Sequence, residues 1–224
     1  MPILADWYDV LQNSTDTKHL AVVLARYVTG SASAMGSRNE IDLDNKYIVI
    51  DTSGMPDDLL LPGIFWATDI ANDLISGAGG QLSALISDEL WSLVGANSNP
   101  LAAGYIQEMV KTIRGLGGIA ITSTQGMQDL FSLDNGKYGK GILDSSRIKI
   151  VMQMEEQEAR LIQNVLNLSE EEVRQITRFR RGEGLLCIGY NHVPIAFYAT
   201  QKEYDAITTS PTDLLNRNIK NETV

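Results

Sequence analysis

SALISDELW, residues Ser83 to Trp91, is a short apolar run that stops at two adjacent acids, Asp88 and Glu89. Four to eight apolar residues bounded by polar ones read as a strand. A carboxylate pair at the end of such a strand has two readings. It can mark the chain's exit from a core into solvent. It can also hold a Mg²⁺ ion through Asp88 and polarise a water through Glu89, a division of labour that is useful beside a triphosphate. Taken alone, the stretch leaves these two readings level, and Ser87 stands where a fourth apolar residue would strengthen the second. The usual triphosphate cradle, G-x-x-x-x-G-K-[ST], occurs nowhere in the 224 residues.

Outward from this strand, short apolar runs alternate with amphipathic stretches. Strands are predicted at Lys46 to Asp51, Ser83 to Asp88, Gly118 to Ser123, Ile148 to Met152, Gly184 to Gly189 and Val193 to Ala199. Helices are predicted at Thr17 to Val28, Asp57 to Ile75, Pro100 to Arg114, Gln125 to Phe131 and Glu155 to Leu166. This alternation predicts an α/β fold, a mostly parallel sheet flanked by helices. Only Tyr190, Asn191 and His192 separate the last two strands, so the carboxy-terminal edge is expected to be an antiparallel hairpin. Ser169 followed by three glutamates has the form of a helix start. Residues 1–209 are expected to form one α/β unit and residues 210–224 a polar tail.

Composition narrows the chemistry. The chain is 44% hydrophobic and 21% charged, enough for a substantial core. With 18 Lys and Arg against 28 Asp and Glu, its net charge of −10 repels a phosphate backbone, and direct DNA binding by this surface is not expected. The single cysteine, Cys187 in the apolar run GLLCIGY, excludes an internal disulfide and a cysteine metal cluster, and reads as a buried inert thiol. His19 and His192 lack metal-ligand spacing. The amino terminus lacks a signal-peptide layout, and Pro62, Asp69 and Asp73 break the longest apolar stretch, so neither export nor a membrane span is expected.

Two further segments bear on the carboxylates. The strand at Gly118 ends in Ser123, Thr124 and Gln125, at the carboxyl edge where open α/β sheets bind ligands. Gln125 there could bridge a water or a terminal phosphate, or could simply cap a helix. RFRRGEGLL places Arg178, Arg180 and Arg181 before a late strand. Guanidinium forks match phosphate oxygens; the plainer alternative is a solvated loop paired with the SEEE acids upstream.

The order PILADWYDVL, LARYVTGS, YIVIDTSGM, DELW, IRGLGGIAITSTQGMQDLF and RRGEGLL resembles the carboxy-terminal half of the TraC-like motor ATPases of conjugation and type IV secretion, in the lineage that also holds HerA and FtsK. The resemblance runs to about Tyr204. It implies a partial RecA-like P-loop NTPase fold and a bacterial ring motor, a hexamer that hydrolyses ATP with Mg²⁺ to energise pilus assembly or DNA and protein transfer. It would act at the inner face of the cell membrane, with channel and coupling proteins as partners. By that resemblance Asp88 is the Walker B acid, reaching Mg²⁺ through water, and Glu89 orients the attacking water. Gln125 matches the sensor glutamine, with Thr124 beside it at the nucleotide. Arg181, with Arg178 or Arg180 as alternatives, matches the arginine that acts across a subunit boundary. Arg114 falls where relatives carry Arg-Lys before the Gly-Gly turn, and the second basic residue is missing. Relatives also carry their Walker A loop upstream of the segment with which this chain begins, which implies a chain inactive by itself. The alternatives are a non-catalytic docking module that keeps the motor fold and, more remotely, an unrelated metal-dependent phosphoesterase. A sheet without its neighbouring strand is expected to self-associate or to be covered by the amino-terminal residues.

Overall fold

A computed structural model describes residues 2–30, 32–36, 43, 45–52, 54–89, 91–95 and 98–213. They fall into two compact units that divide between Ser145 and Ser146. The first unit runs α1 (Leu4–Gln12), α2 (Lys18–Val28), α3 (Ser33–Gly36), α4 (Asp57–Gly77), β1 (Ser83–Ser87), α5 (Trp91–Val94), α6 (Pro100–Thr112), β2 (Gly118–Thr122), α7 (Met127–Leu130) and α8 (Lys137–Ser145). The second runs β3 (Ile148–Met152), α9 (Glu156–Leu166), α10 (Glu170–Ile176), β4 (Glu183–Ile188), β5 (Asn191–Ala196) and α11 (Gln201–Ile207).

In the first unit β1 and β2 pair in parallel, Ser83 opposite Gly118 through Ser87 opposite Thr122. The helix before β2 is well specified. Asn99 caps α6 by accepting from Leu101 N at 2.8 Å, and Pro100 occupies the first helical position, where its missing N–H costs nothing. Ala103, Ile106, Met109 and Ile113 then recur on one buried stripe. A 3-10 turn, Ile113–Leu116, leads into the strand. Its two closing glycines have different jobs. Gly117 takes φ +83°, and a Cβ on Gly118 would lie 2.7 Å from Ile113 and 2.9 Å from Ile75. The core of this unit is Val94, Ile106, Leu130 and Ile142 with their neighbours. The other face of the strand pair carries Ile86, Ile119 and Ile121, all at least half exposed.

In the second unit β3, β4 and β5 form an antiparallel sheet, with β4 central and a two-residue turn at Gly189 and Tyr190. The expected hairpin edge is present, and β3 extends the antiparallel part to three strands. Val151, Leu185 and Cys187 from the sheet, Ala159, Ile162 and Leu166 from α9, and Val173 and Ile176 from α10 are its buried residues. The glutamates of SEEE are each used. Ser169 Oγ accepts from Glu172 N at 3.3 Å while Ser169 N donates to Glu172 Oε2 at 2.7 Å, a complete capping box. Glu172 Oε1 meets His192 Nδ1 of β5 at 2.7 Å. Glu170 pairs with Arg160 and Glu171 with Arg174, each at 2.7 Å. Cys187 is buried, and burial first, then the nearby Glu172 carboxylate, pushes its thiol up in pKa, as expected of an inert residue.

Three expectations need amendment. Lys46 to Asp51 forms no strand: Tyr47, Val49 and Ile50 are exposed, and none of the described strands pairs with them. The helix expected from Gln125 is the four-residue α7, starting at Met127. The helices at Leu4, Lys137 and Gln201 were not expected at all. Leu214 to Val224 of the polar tail lie outside the described residues. Among the described residues no helix is long and apolar enough to cross a membrane.

Two stability measurements follow from this packing. A Cβ on Gly139 would sit 2.3 Å from the Leu130 carbonyl oxygen. Gly139→Ala is therefore expected to destabilise the protein by about 1–3 kcal/mol in urea unfolding. Glu172 has its pKa lowered: desolvation acts to raise it but is outweighed by hydrogen bonds from Ser169 and His192. A lowered carboxylate stabilises the fold fully above its ordinary pKa, and that gain disappears as pH falls through the lowered value. Glu172→Gln, which keeps a capping side chain but loses the charge, should thus lower the melting temperature at neutral pH. The melting temperatures of the two proteins should converge below the ordinary carboxylate range.

Candidate functional site

Parallel pairing places the carboxyl ends of β1 and β2 side by side, and both predicted motifs lie at those ends. Ser123 N donates to Ser87 O at 3.0 Å, which carries the ladder one residue beyond the strands. Asp88 and Ser123 are thereby neighbours, and Ser123 Oγ donates to Asp88 Oδ1. The same oxygen accepts from Glu89 N at 3.0 Å. Two residues further on, Gln125 Nε2 donates to Glu89 Oε1 at 2.7 Å. The sequence separations are 35 and 36 residues, so the constellation is a product of the fold.

Glu89 has φ +53°, in the left-handed region that L-residues with a Cβ avoid. Ser92 holds the turn by donating both N, at 3.0 Å, and Oγ, at 2.8 Å, to Glu89 O. Thr124 Oγ1 is buried with no hydrogen-bond partner. A buried hydroxyl left unpaired costs about 1–3 kcal/mol, so its presence at this strand end marks a position where a ligand atom could complete it.

This arrangement fits the metal half of a nucleotide site. Asp88 offers a hard oxygen ligand on an exposed strand end, the environment in which Mg²⁺ keeps most of its waters and takes one or two carboxylates. Among the described residues no group of three or more His, Cys, Asp or Glu could cage an ion. The pattern G-x-x-x-x-G-K-[ST], which usually forms the phosphate half, does not occur in the sequence.

The basic candidates belong to other elements. Arg114 lies in the 3-10 turn that precedes β2, at the amino end of that strand. Asp88, Ser123 and Gln125 are at the carboxyl end, so Arg114 does not join them within the unit. Arg178, Arg180 and Arg181 belong to the second unit, between α10 and β4, and all three are exposed. Among the described residues none of the three makes an ion pair, and the SEEE acids are taken by Arg160, Arg174 and His192; Arg181 is near enough to Asp213 to help lower the pKa of that carboxylate. The plainer reading of this loop, neutralisation by those acids, is therefore removed. Glu183 Oε2 instead accepts from Arg180 N at 2.8 Å and shapes the backbone of the loop. Arg178 also borders a shallow hollow with Gln175, Phe179 and Pro194.

Ser123 is the site member that sequence reasoning placed at the strand end without giving it a role. Its signal was register: if β1 and β2 are parallel neighbours of equal length, the residue after β2 must face the residue after β1.

Comparison with known proteins bears on the family and the fold. The family model described as the TraG P-loop domain matches residues 5–215. VirB4 of Thermoanaerobacter pseudethanolicus superposes with a TM-score of 0.77 at 24% identity, over 90% of this chain and 56% of that one. The chain thus spans little more than half the length of that relative. The genome packaging NTPase B204 from Sulfolobus turreted icosahedral virus 2, solved in complex with ATP-gammaS, superposes with a TM-score of 0.51 at 17% identity over 72% of this chain and 74% of that one. Among curated proteins, none matches closely enough to count. The fold is that of the P-loop NTPases, with a parallel strand pair and an antiparallel edge.

Proposed function

Because the chain belongs to the TraG P-loop domain family, within the motor ATPases of conjugation and type IV secretion, we propose that it carries the metal- and water-handling half of an ATP hydrolysis site. The observation that supports this most is the joint tethering of Asp88 and Glu89 to the end of the neighbouring strand, through Ser123 and Gln125. A solvated strand exit gives no reason for two consecutive acids to be tied to two different side chains of the next strand.

The roles follow from the atoms. Mg²⁺, when bound with ATP, neutralises charge on the β and γ phosphate oxygens. Asp88 holds that ion's water shell through its exposed oxygen. Glu89 accepts a proton from the attacking water, or orients it, with the carboxylate kept in place by Gln125. Gln125, an amide with both donor and acceptor atoms, can hold Glu89 at rest and turn toward a terminal phosphate when one is present. Thr124 Oγ1 gains a partner on the nucleotide. The exposed guanidinium groups of Arg178, Arg180 and Arg181 serve a nucleotide on a neighbouring subunit, with Arg181 first among them, which requires a homo-oligomer, a hexamer by family resemblance. Arg114, at the far end of β2, reaches a phosphate only from such a neighbour. On this reading the chain by itself does not turn over ATP, since the sequence pattern of the phosphate cradle is missing from it. The bacterial motor it belongs to sits in the cytoplasm against the inner face of the membrane, held there by type IV secretion channel and coupling proteins.

A second reading, a docking module that retains the motor fold, is favoured by one observation: the bare apolar face of Ile86, Ile119 and Ile121. It stands if the full-length protein fails to bind Mg-ATP in calorimetric titration.

In the full-length protein Glu89→Gln is expected to lower the ATP turnover number by about 10²–10⁴-fold while leaving nucleotide affinity within a few-fold. Turnover equal to the unaltered protein would remove Glu89 from the mechanism. For the arginine loop, Arg181→Ala subunits mixed with Glu89→Gln subunits should regain part of the activity that each lacks alone, since some interfaces then combine an intact Glu89 with an intact Arg181. No recovery would place Arg181 outside the neighbour's site.

A further inference from the structure

We propose that Ser123 is a positioning residue that decides which oxygen of Asp88 is offered to the metal. Two donors converge on Oδ1: the Ser123 hydroxyl and the backbone N–H of Glu89. Among the described residues Oδ2 accepts no hydrogen bond. A carboxylate has about four lone-pair sites, two on each oxygen. Oδ1 therefore has both of its sites taken, and the sites on Oδ2 remain for an outside ligand or its water. Rotation about the terminal torsion of Asp is broad and nearly two-fold. One donor on the backbone does not hold the carboxylate plane in one setting; a second donor from a different strand does.

The neighbouring side chains do not replace it. Gln125 is spent on Glu89, and Thr124 Oγ1 makes no bond to Asp88. Ser123 is held by the ladder itself, through its N–H to Ser87 O. Its Cα is thus fixed in height along the strand, which keeps the hydroxyl within reach of Asp88. It is also exposed, so a threonine has room for its extra methyl group. This inference rests on the reading of Asp88 as the Mg²⁺-associated acid, and its test separates the two.

The full-length protein is titrated calorimetrically with a non-hydrolysable ATP analogue, once with Mg²⁺ and once with EDTA. The ratio of the two affinities is the metal-dependent gain. Asp88→Asn should abolish that gain, and Ser123→Ala should cut it about tenfold, the worth of one hydrogen bond to a charged group, with the affinity in EDTA unchanged. Ser123→Thr, which keeps the hydroxyl, should restore it. A gain that is missing in the unaltered protein, or that survives Asp88→Asn, overturns the ATP-site reading and this inference with it. A gain that Asp88→Asn abolishes but Ser123→Ala leaves within twofold overturns the positioning role alone. So does an equal loss in Mg²⁺ and in EDTA, or a failure of threonine to rescue.

Discussion

The in-register parallel pairing of β1 with β2 is the constraint on which the site depends. Parallel strands bring like ends together, so an acid after one strand and an amide after the next can meet without either leaving its own backbone path. Register decides whether they do. A slip of one residue would turn Asp88 and Ser123 to opposite faces, since side chains alternate with a period of two. What pins the register lies at the other end of the strands. The left-handed Gly117 and the close contacts of Gly118 with Ile75 and Ile113 seat the start of β2 against the core. Packing fixes the amino end, and the carboxyl end is left free for polar groups.

Glu89 shows what that freedom costs. A residue with a Cβ in the left-handed region carries about 1–2 kcal/mol of strain. Glycine would remove the strain, but it would also remove the carboxylate. The two bonds from Ser92 to Glu89 O and the one from Gln125 to its side chain stabilise the turn locally. Strain retained beside an unpaired buried hydroxyl, that of Thr124, is the pattern expected where structure serves a ligand more than it serves stability.

Much of this was legible in the sequence, for physical reasons that can be named. Helical periodicity located α2, α4, α6 and α9 because each carries apolar residues at helical spacing, although α2 buries only Ala21 among its residues, and the short gap at Tyr190 gave the hairpin. The acids of DELW and the amide of Gln125 were visible because both follow apolar runs that read as strands. Three things were not legible. Lys46 to Asp51 has strand composition, yet β-propensity expresses packing against neighbours, and no described strand lies beside it. Arg114 is close to Gln125 in sequence, but the length of β2 lies between them, and only direction along the strand shows that they sit at opposite ends. The partners of the SEEE acids depend on contacts such as Glu172 with His192, 20 residues away, that no local pattern encodes.

Charge sets the remaining condition on the proposed chemistry. Two adjacent carboxylates, in a chain of net charge −10, repel a triphosphate. Such a site can take a nucleotide only if cations arrive with it or beside it: a metal ion at Asp88 and guanidinium or ammonium groups on the phosphates. Among the described residues Arg160 and Arg174 are paired with carboxylates, whereas Arg178 and Arg180 make no ion pair and Arg181 only comes near Asp213. On the proposed reading, exposed guanidinium groups on an acidic surface are held ready for an anion from outside. On the same reading that anion is the nucleotide of a neighbouring subunit, so that the acidic site and the basic loop each supply what the other's ligand lacks.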